Sequence, residues 1–234
     1  RVKSAALTAL STWARRNERR WAPEVTSVVA NTTAVKARIE NWWDREAQVV
    51  HPPVDTSYFT PDPAVPKGDY FVAVGRLVPY KKVPLAVEAA VRAGVRLIVV
   101  GDGRDMAAAR AVAGPGVEFT GRAPGEQMRD LMRGARALLM PGEEDFGIVP
   151  VEAMACGTPV IALGRGGAVD TVRPGDTGVH VHGETDAEIV AGFAEAMRDF
   201  DDARFRTDRL QEWAADFSPA NFRRRMADVV AQVL

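Results

Sequence analysis

Cysteine is almost missing from this chain: Cys156 is the only one among 234 residues. A disulfide framework is therefore excluded, and an unpaired thiol points to a reducing, cytoplasmic compartment. Histidine is scarce as well, with three residues in all. Two of them form His180-Val181-His182, where strand alternation would put both imidazoles on one face. No Cys, Asp or Glu cluster stands beside them in sequence, so a surface strand end is the plainer reading and no metal is expected. No apolar run approaches the ~18 residues of a membrane span, and no secretory leader pattern is read at the front. Neither sign of charge dominates, since 30 Lys and Arg face 31 Asp and Glu for a net charge of −1. No basic patch interleaved with aromatics is found, which argues against a nucleic-acid partner. The standard glycine-rich phosphate loops are lacking too. Gly101-Asp102-Gly103 has no third glycine of a dinucleotide fingerprint, and there is no Walker A lysine.

What is present is an ordinary globular composition, 47% hydrophobic and 26% charged. A chain of this length buries a full core without disulfide or metal staples. Its basic residues are uneven, with Arg1, Lys3, Arg15, Arg16, Arg19 and Arg20 against Glu18 in the first twenty. Val2, Leu7, Leu10 and Trp13 recur there at spacings near three, so a basic amphipathic helix is expected. Its plainer reading is the solvated face of a packed helix. The sharper one is peripheral contact with an anionic surface at the inner membrane face. The start at Arg1 rather than Met reads as a piece of a longer chain.

Residues 25–30 and 47–50 read as short strands flanking a helix over 32–43, entered through an Asn/Thr cap. Pro52, Pro53, Pro61, Pro63, Pro66 and Gly68 then interrupt regular structure, and residues 52–68 are expected to be a stiff linker. Beyond it, apolar runs at 70–74, 96–100, 117–120, 137–140 and 160–163 alternate with helical spacing at 84–93, 106–113, 126–134 and 149–155. Continuous apolar runs suit strands covered on both faces. The alternation predicts an α/β, Rossmann-like, doubly wound parallel sheet over residues 69–217. A helix is expected over 186–198, then a charged stretch, then a helix over 218–234 with Ser218 as N-cap and Pro219 in the first turn.

Ligands of such sheets sit beyond the carboxyl ends of the strands, and two turns there stand out. Gly75-Arg76-Leu77-Val78-Pro79-Tyr80-Lys81-Lys82 places a planar guanidinium and ammonium groups at a strand end, a set suited to phosphate oxygens. Arg and Lys at such places are commonly just solvated, so alone the signal is weak. Pro141-Gly142-Glu143-Glu144-Asp145-Phe146-Gly147-Ile148 leads into a helix, so its free amides make an anion site. Its acidic residues would oppose a ligand that was only phosphate, but carboxylates accept hydrogen bonds from sugar diols. A nucleotide sugar carries both groups.

Glu144 and Glu152, enclosing Phe146-Gly147-Ile148, resemble the E-x7-E motif of retaining GT-B glycosyltransferases of family 4. Other segments agree in order: Gly75-Arg76-Leu77 with Lys81, Gly101-Asp102-Gly103, Phe119-Thr120-Gly121-Arg122, Gly157-Thr158-Pro159-Val160 and Gly164-Arg165-Gly166-Gly167. The similarity runs from about residue 25 to the end. It is greatest to bacterial mannosyltransferases that use GDP-mannose, and so implies that sugar nucleotide as donor, with no other cofactor. It further implies that Arg76 and Lys81 hold the diphosphate and neutralise leaving-group charge, a preorganised electrostatic effect. Glu144 would orient the donor sugar beside the amides of Phe146, Gly147 and Ile148. Glu152 would accept from the ribose, Arg122 would lie near the base, and Gly75, Gly166 and Gly167 near the diphosphate. Lys82 stands where the family often has glycine, leaving open which lysine meets phosphate, and Asp170 stands where glutamate is commoner.

The resemblance implies a sugar or lipid-linked acceptor bound by an N-terminal domain. Residues 1–51 would be the end of that domain, 52–68 the linker, 69–217 the donor domain and 218–234 a closing helix. Alone, such a piece is expected to bind nucleotide without appreciable transfer. A nucleotide-sugar epimerase or hydrolase of the same fold is the alternative, as is a nucleotide-binding module without catalysis. Were all eight steps from Glu144 to Glu152 helical, the pair would lie ~12 Å apart, beyond the roughly 5 Å of a retaining hydrolase. Asp199-Phe200-Asp201 spells a metal-binding D-x-D, but falls in a charged stretch and reads as solvated. Cys156 reads as packed at a helix end rather than as a nucleophile. Trp42 and Trp43 are expected at a domain interface, with one of them allowed at the surface.

Overall fold

A computed structural model describes residues 2–234, and side chains from Leu7 onward. Arg1 and the side chains of Val2 and Lys3, which the basic-helix expectation includes, lie outside the described residues. The chain opens with α1 (Val2–Trp21) and a 3-10 turn, followed by β1 (Val29–Ala30), α2 (Thr33–Trp43) and β2 (Gln48–Val49). β1 and β2 pair in parallel as a two-stranded sheet, and α2 packs on it through Val35, Ile39 and Trp43 around buried Val28, Ala30 and Ala47. Trp43 thus joins this small core, whereas Trp42 is exposed.

The larger sheet comprises β3 (Tyr70–Val74), β4 (Arg96–Val100), β5 (Val117–Gly121), β6 (Leu138–Met140), β7 (Val160–Leu163) and β8 (Gly178–Val181). Its order is β5-β4-β3-β6-β7-β8, and every pairing is parallel. Strand alternation divides the core. Val72, Ile98, Val100, Leu138, Met140, Val160 and Ala162 face one cluster. Phe71, Ala73, Leu97, Val99, Leu139, Ile161 and Leu163 face the other. The first side is covered by α5 (Gly125–Gly134), α6 (Ile148–Ala155) and α9 (Thr207–Ala215), the second by α3 (Val83–Ala93), α4 (Met106–Ala111) and α8 (Asp186–Arg198). Burial on both faces explains why the strands read as unbroken apolar runs.

Two elements depart from the expectation. β8 makes the sheet one of six strands rather than five. Its Gly-Val-His-Val sequence reads as a strand end around the His pair, but with two of its four residues not apolar it does not count among the sheet's apolar runs. α9 was read as charged loop, because only Leu210 and Ala214 of its nine residues are buried. The His pair does share a face, with ring centroids 6.3 Å apart. No metal-binding group of His, Cys, Asp and Glu occurs among the described residues.

Residues 52–68 have no regular helix or strand, yet the linker is welded down. Val54 and Phe59 are buried in the first core cluster. Arg133, itself buried, donates from Nε to the Thr60 carbonyl at 2.6 Å. The chain ends with α10 (Pro219–Ala231), capped as expected by Ser218, whose Oγ accepts from the Asn221 amide at 3.4 Å. Beyond it, the Gln232 side chain accepts from Gln48 Nε2 at 2.7 Å, tying the end of the chain to β2.

α1 is not the packed helix of the plainer reading. Leu7, Leu10 and Trp13 are 59–66% exposed among the described residues. Its last turns are held, with Arg19 Nε donating to the Trp42 carbonyl at 2.9 Å. No described helix is long and apolar enough to cross a membrane.

Candidate functional site

The strand order reverses between β3 and β6, so a crevice opens where the loops after these two strands diverge. After β3, buried Leu77 anchors the loop, its amide donating to the Asp102 carbonyl at 3.0 Å. This leaves the neighbouring Arg76 side chain exposed, and no hydrogen bond or ion pair ties it to any described residue. The loop closes in a 3-10 turn at Pro79–Lys81, with Lys82 in the left-handed region at φ 49°. After β6, Gly142 passes so close to this turn that a Cβ there would sit 2.6 Å from Lys81 Cα. Only glycine permits that approach. The two loops then meet through their side chains: Lys81 Nζ lies 2.7 Å from Glu144 Oε1, with both side chains mostly buried. The same ammonium lies over Gly75, 3.3 Å from where a Cβ would stand.

Lys82 takes another direction, its Nζ pairing with Asp186 at the start of α8 at 2.8 Å. Of the two adjacent lysines, Lys81 is the one coupled to Glu144.

α6 begins at Ile148 after Gly147, whose φ is 79° and which supplies no side-chain cap. First-turn amides have no intrahelical acceptor, so those of Ile148 and Val149 point out of the turn carrying the positive end of the helix dipole. Phe146 offers backbone only, because its ring is buried against His51 and Phe217. Gly167 braces this loop from β7's side, its amide donating to the Glu144 carbonyl at 2.7 Å. Gly166 lies alongside, with a Cβ there 2.9 Å from Glu143 Cγ.

Glu152 projects from the middle of α6. Burial pushes its carboxyl up to about 7, against the opposing pull of the Lys81 ammonium. Arg122, following β5, is exposed and without a partner among the described residues. A cavity of about 700 Å³ is lined by Tyr80, Lys81, Glu144 and Ile148 together with Asn31 and Pro52, while Arg76, Arg122 and Glu152 lie outside its lining. A second hollow of about 670 Å³, over β1, β2 and α2, contains none of the expected site residues.

Sequence reasoning missed the contacts that fasten α2 to this loop. Thr32 Oγ1 donates to the Asp145 carbonyl at 2.7 Å, and Arg38 pairs with the Asp145 carboxylate. Asp170, on α7 (Ala168–Thr171), accepts from the Thr33 amide at 2.7 Å and from the Thr33 hydroxyl. Asp170 drew notice only as a departure from a pattern. No local spacing links it to residues more than a hundred positions away.

A six-stranded, wholly parallel sheet with a cation–carboxylate pair and a free helix end at its switch point defines the class, a doubly wound α/β domain. The chain belongs to the family of glycosyl transferases group 1, whose pattern matches residues 58–209. It is 34% identical over 180 residues to a D-inositol 3-phosphate glycosyltransferase of Acidothermus cellulolyticus, covering 64% of this chain and 40% of that protein. It is 44% identical over 91 residues to the protein of that name from Streptomyces coelicolor, covering 38% of this chain and 19% of the relative. The chain therefore spans well under half the length of these relatives. Among solved structures, Anabaena Alr3699/HepE in complex with UDP superposes with a TM-score of 0.75 at 21% identity, covering 89% of this chain and 64% of that one. Sucrose-phosphate synthase from Thermosynechococcus elongatus superposes with a TM-score of 0.74 at 24% identity, covering 88% and 58%. These two likenesses show the fold.

Proposed function

We propose that this chain is the donor-binding part of a retaining hexosyltransferase. The observation that carries the reading is the junction at the switch point, where Lys81 and Glu144 bring the loops after β3 and β6 together at 2.7 Å. Exposed Arg76 lies on the first loop and the free amides of α6 follow on the second. A nucleoside diphosphate sugar has charges and hydroxyls to match that set. Arg76 and Lys81 would bind the diphosphate and stabilise the negative charge that grows on it as the anomeric carbon–oxygen bond breaks. The acceptor hydroxyl oxygen would bond to that carbon on the face the diphosphate leaves. Its proton would pass to the departing phosphate oxygen, so the reaction balances without a base on this chain. Glu144 would orient the sugar hydroxyls and Glu152 the ribose diol.

The motif resemblance favours GDP-mannose, whereas the neighbours solved with UDP and UDP-glucose favour a UDP-hexose. The named relatives act on D-inositol 3-phosphate, and a polyol or sugar hydroxyl is the acceptor proposed here. Calorimetric titration of this chain with UDP, GDP and ADP tests the reading: binding of at least one is expected, and binding of none would sink it. The epimerase or hydrolase alternative is weaker, because the family match is to glycosyl transferases.

A further inference from the structure

The contacts left unused by this chemistry are those holding α2 against the donor loops. The Asp170 side chain is only 6% exposed. It accepts from the Thr33 amide at 2.7 Å and from the Thr33 hydroxyl. Thr33 is the first residue of α2, so its amide has no acceptor within the helix, and a carboxylate is favoured at that positive end. The preceding residue carries the effect onward. Thr32 Oγ1 accepts from the Val35 amide at 3.2 Å and donates to the Asp145 carbonyl at 2.7 Å.

A second route runs through His51, whose Nδ1 lies 4.0 Å from Asp170 Oδ2 and 2.9 Å from the Asn31 carbonyl. Its ring stacks on Phe146 with centroids 5.7 Å apart. Both routes end on Asp145–Phe146, between Glu144 and the free amides of α6. The remaining tie, Arg38 to Asp145, joins side chains 42% and 65% exposed. Such pairs contribute little, so the buried Asp170 contact has the greater leverage.

We infer that Asp170 is a positioning residue: by capping α2 from across the cleft it sets the placement of residues 144–149. Its consequence for ligand binding rests on the proposed donor site, but its ordering of the loop does not. Hydrogen–deuterium exchange of the chain, with a UDP and GDP titration in parallel, tests both halves on the wild type, Asp170→Ala, Asp170→Glu and Thr33→Val. Exchange at 33–36 and at Gly167, whose amide is held by the Glu144 carbonyl, should quicken about 10-fold in Asp170→Ala, with 97–100 unchanged. Asp170→Glu should restore it to within about threefold, and Thr33→Val, which loses only the hydroxyl, should fall between. Affinity for the nucleotide that binds the wild type should drop about fivefold in Asp170→Ala and recover in Asp170→Glu. A folded Asp170→Ala with unaltered exchange at Gly167 and 33–36 overturns the inference. Should that variant not fold, unaltered exchange there in Thr33→Val overturns it equally. Quickened exchange in a chain that binds no nucleotide at all leaves Asp170 its role and removes the proposed function instead.

Discussion

Lys81 and Glu144 form an ion pair at 2.7 Å across the mouth of the crevice, and in doing so each occupies the other's binding capacity. On the proposed function, a diphosphate entering beside Arg76 would compete with Glu144 for the Lys81 ammonium. Removing the carboxylate charge should therefore help the bare nucleotide and harm the sugar. Glu144→Gln is expected to bind free UDP or GDP about two- to fivefold more tightly than the wild type. The advantage of a nucleotide sugar over the free nucleotide should shrink at the same time. Weaker binding of the free nucleotide in Glu144→Gln, measured by calorimetry, would contradict the competition.

The Arg76 side chain has no partner among the described residues, so its substitution isolates the proposed ligand contact. Arg76→Ala should cost nucleotide affinity roughly 10- to 100-fold, the range of a hydrogen bond to a charged group, with the melting temperature unchanged. Lys81→Ala should cost similar affinity and also some stability, because it leaves Glu144 partly buried and unpaired. His182→Ala, just beyond the end of β8 and outside the proposed phosphate contacts, serves as the control. Equal losses in all three variants would refute the site.

Much of this was legible in the sequence, for identifiable reasons. The inner strands announced themselves because residues such as Phe71–Ala73 and Leu97–Val99 are covered on both faces and tolerate only apolar side chains. The two candidate turns drew notice because Gly, Arg, Lys and Glu at strand ends have few structural uses together. α8 was readable to the residue, as Thr185 and Glu188 form a capping box. α9 was not, since Arg206 at its N-cap makes no side-chain cap. The Asp170–Thr33 contact joins residues 137 positions apart, and periodicity carries no information at that range. α1 was legible as an amphipathic helix, but amphipathicity alone does not say what its apolar face meets.

Glu152 should make nucleotide binding release protons near neutrality. Its carboxyl stands at about 7 in the folded chain against an ordinary 4.5, owing to burial. A ribose diol donating to it favours the ionised form. Binding should therefore strengthen as pH rises from about 6 to 8, and calorimetry in buffers of differing ionisation enthalpy should detect proton release. Stability moves the other way. Between pH 4.5 and about 7 the unfolded chain has lost this proton while the folded chain keeps it, so stability falls as pH rises through that window. Glu152→Gln should raise the melting temperature above pH 7, by an amount corresponding to at most about 3 kcal/mol, and leave it unchanged below pH 4.5. A wild-type affinity independent of pH would remove Glu152 from the ribose site.

Cys156 gives a probe of folding that does not touch the site. It is buried behind α6, and burial pushes its thiol up to about 12. The thiolate is the reactive species, so an aromatic disulfide reagent at pH 8 should modify the native chain at least about 100-fold more slowly than the denatured one. The rate should follow opening of the core that Cys156 shares with Phe59, Met132 and Leu210. Arg133→Met tests the linkage, because Arg133 holds the linker that covers this core. It donates to the Thr60 carbonyl at 2.6 Å and the Thr60 hydroxyl at 3.1 Å, and lies 2.9 Å from Asp130. Its loss should destabilise the chain by about 2–4 kcal/mol and speed thiol modification in proportion, if opening and closing stay fast relative to the chemistry. A lowered melting temperature with an unchanged thiol rate would mean that the linker and the core around Cys156 open independently.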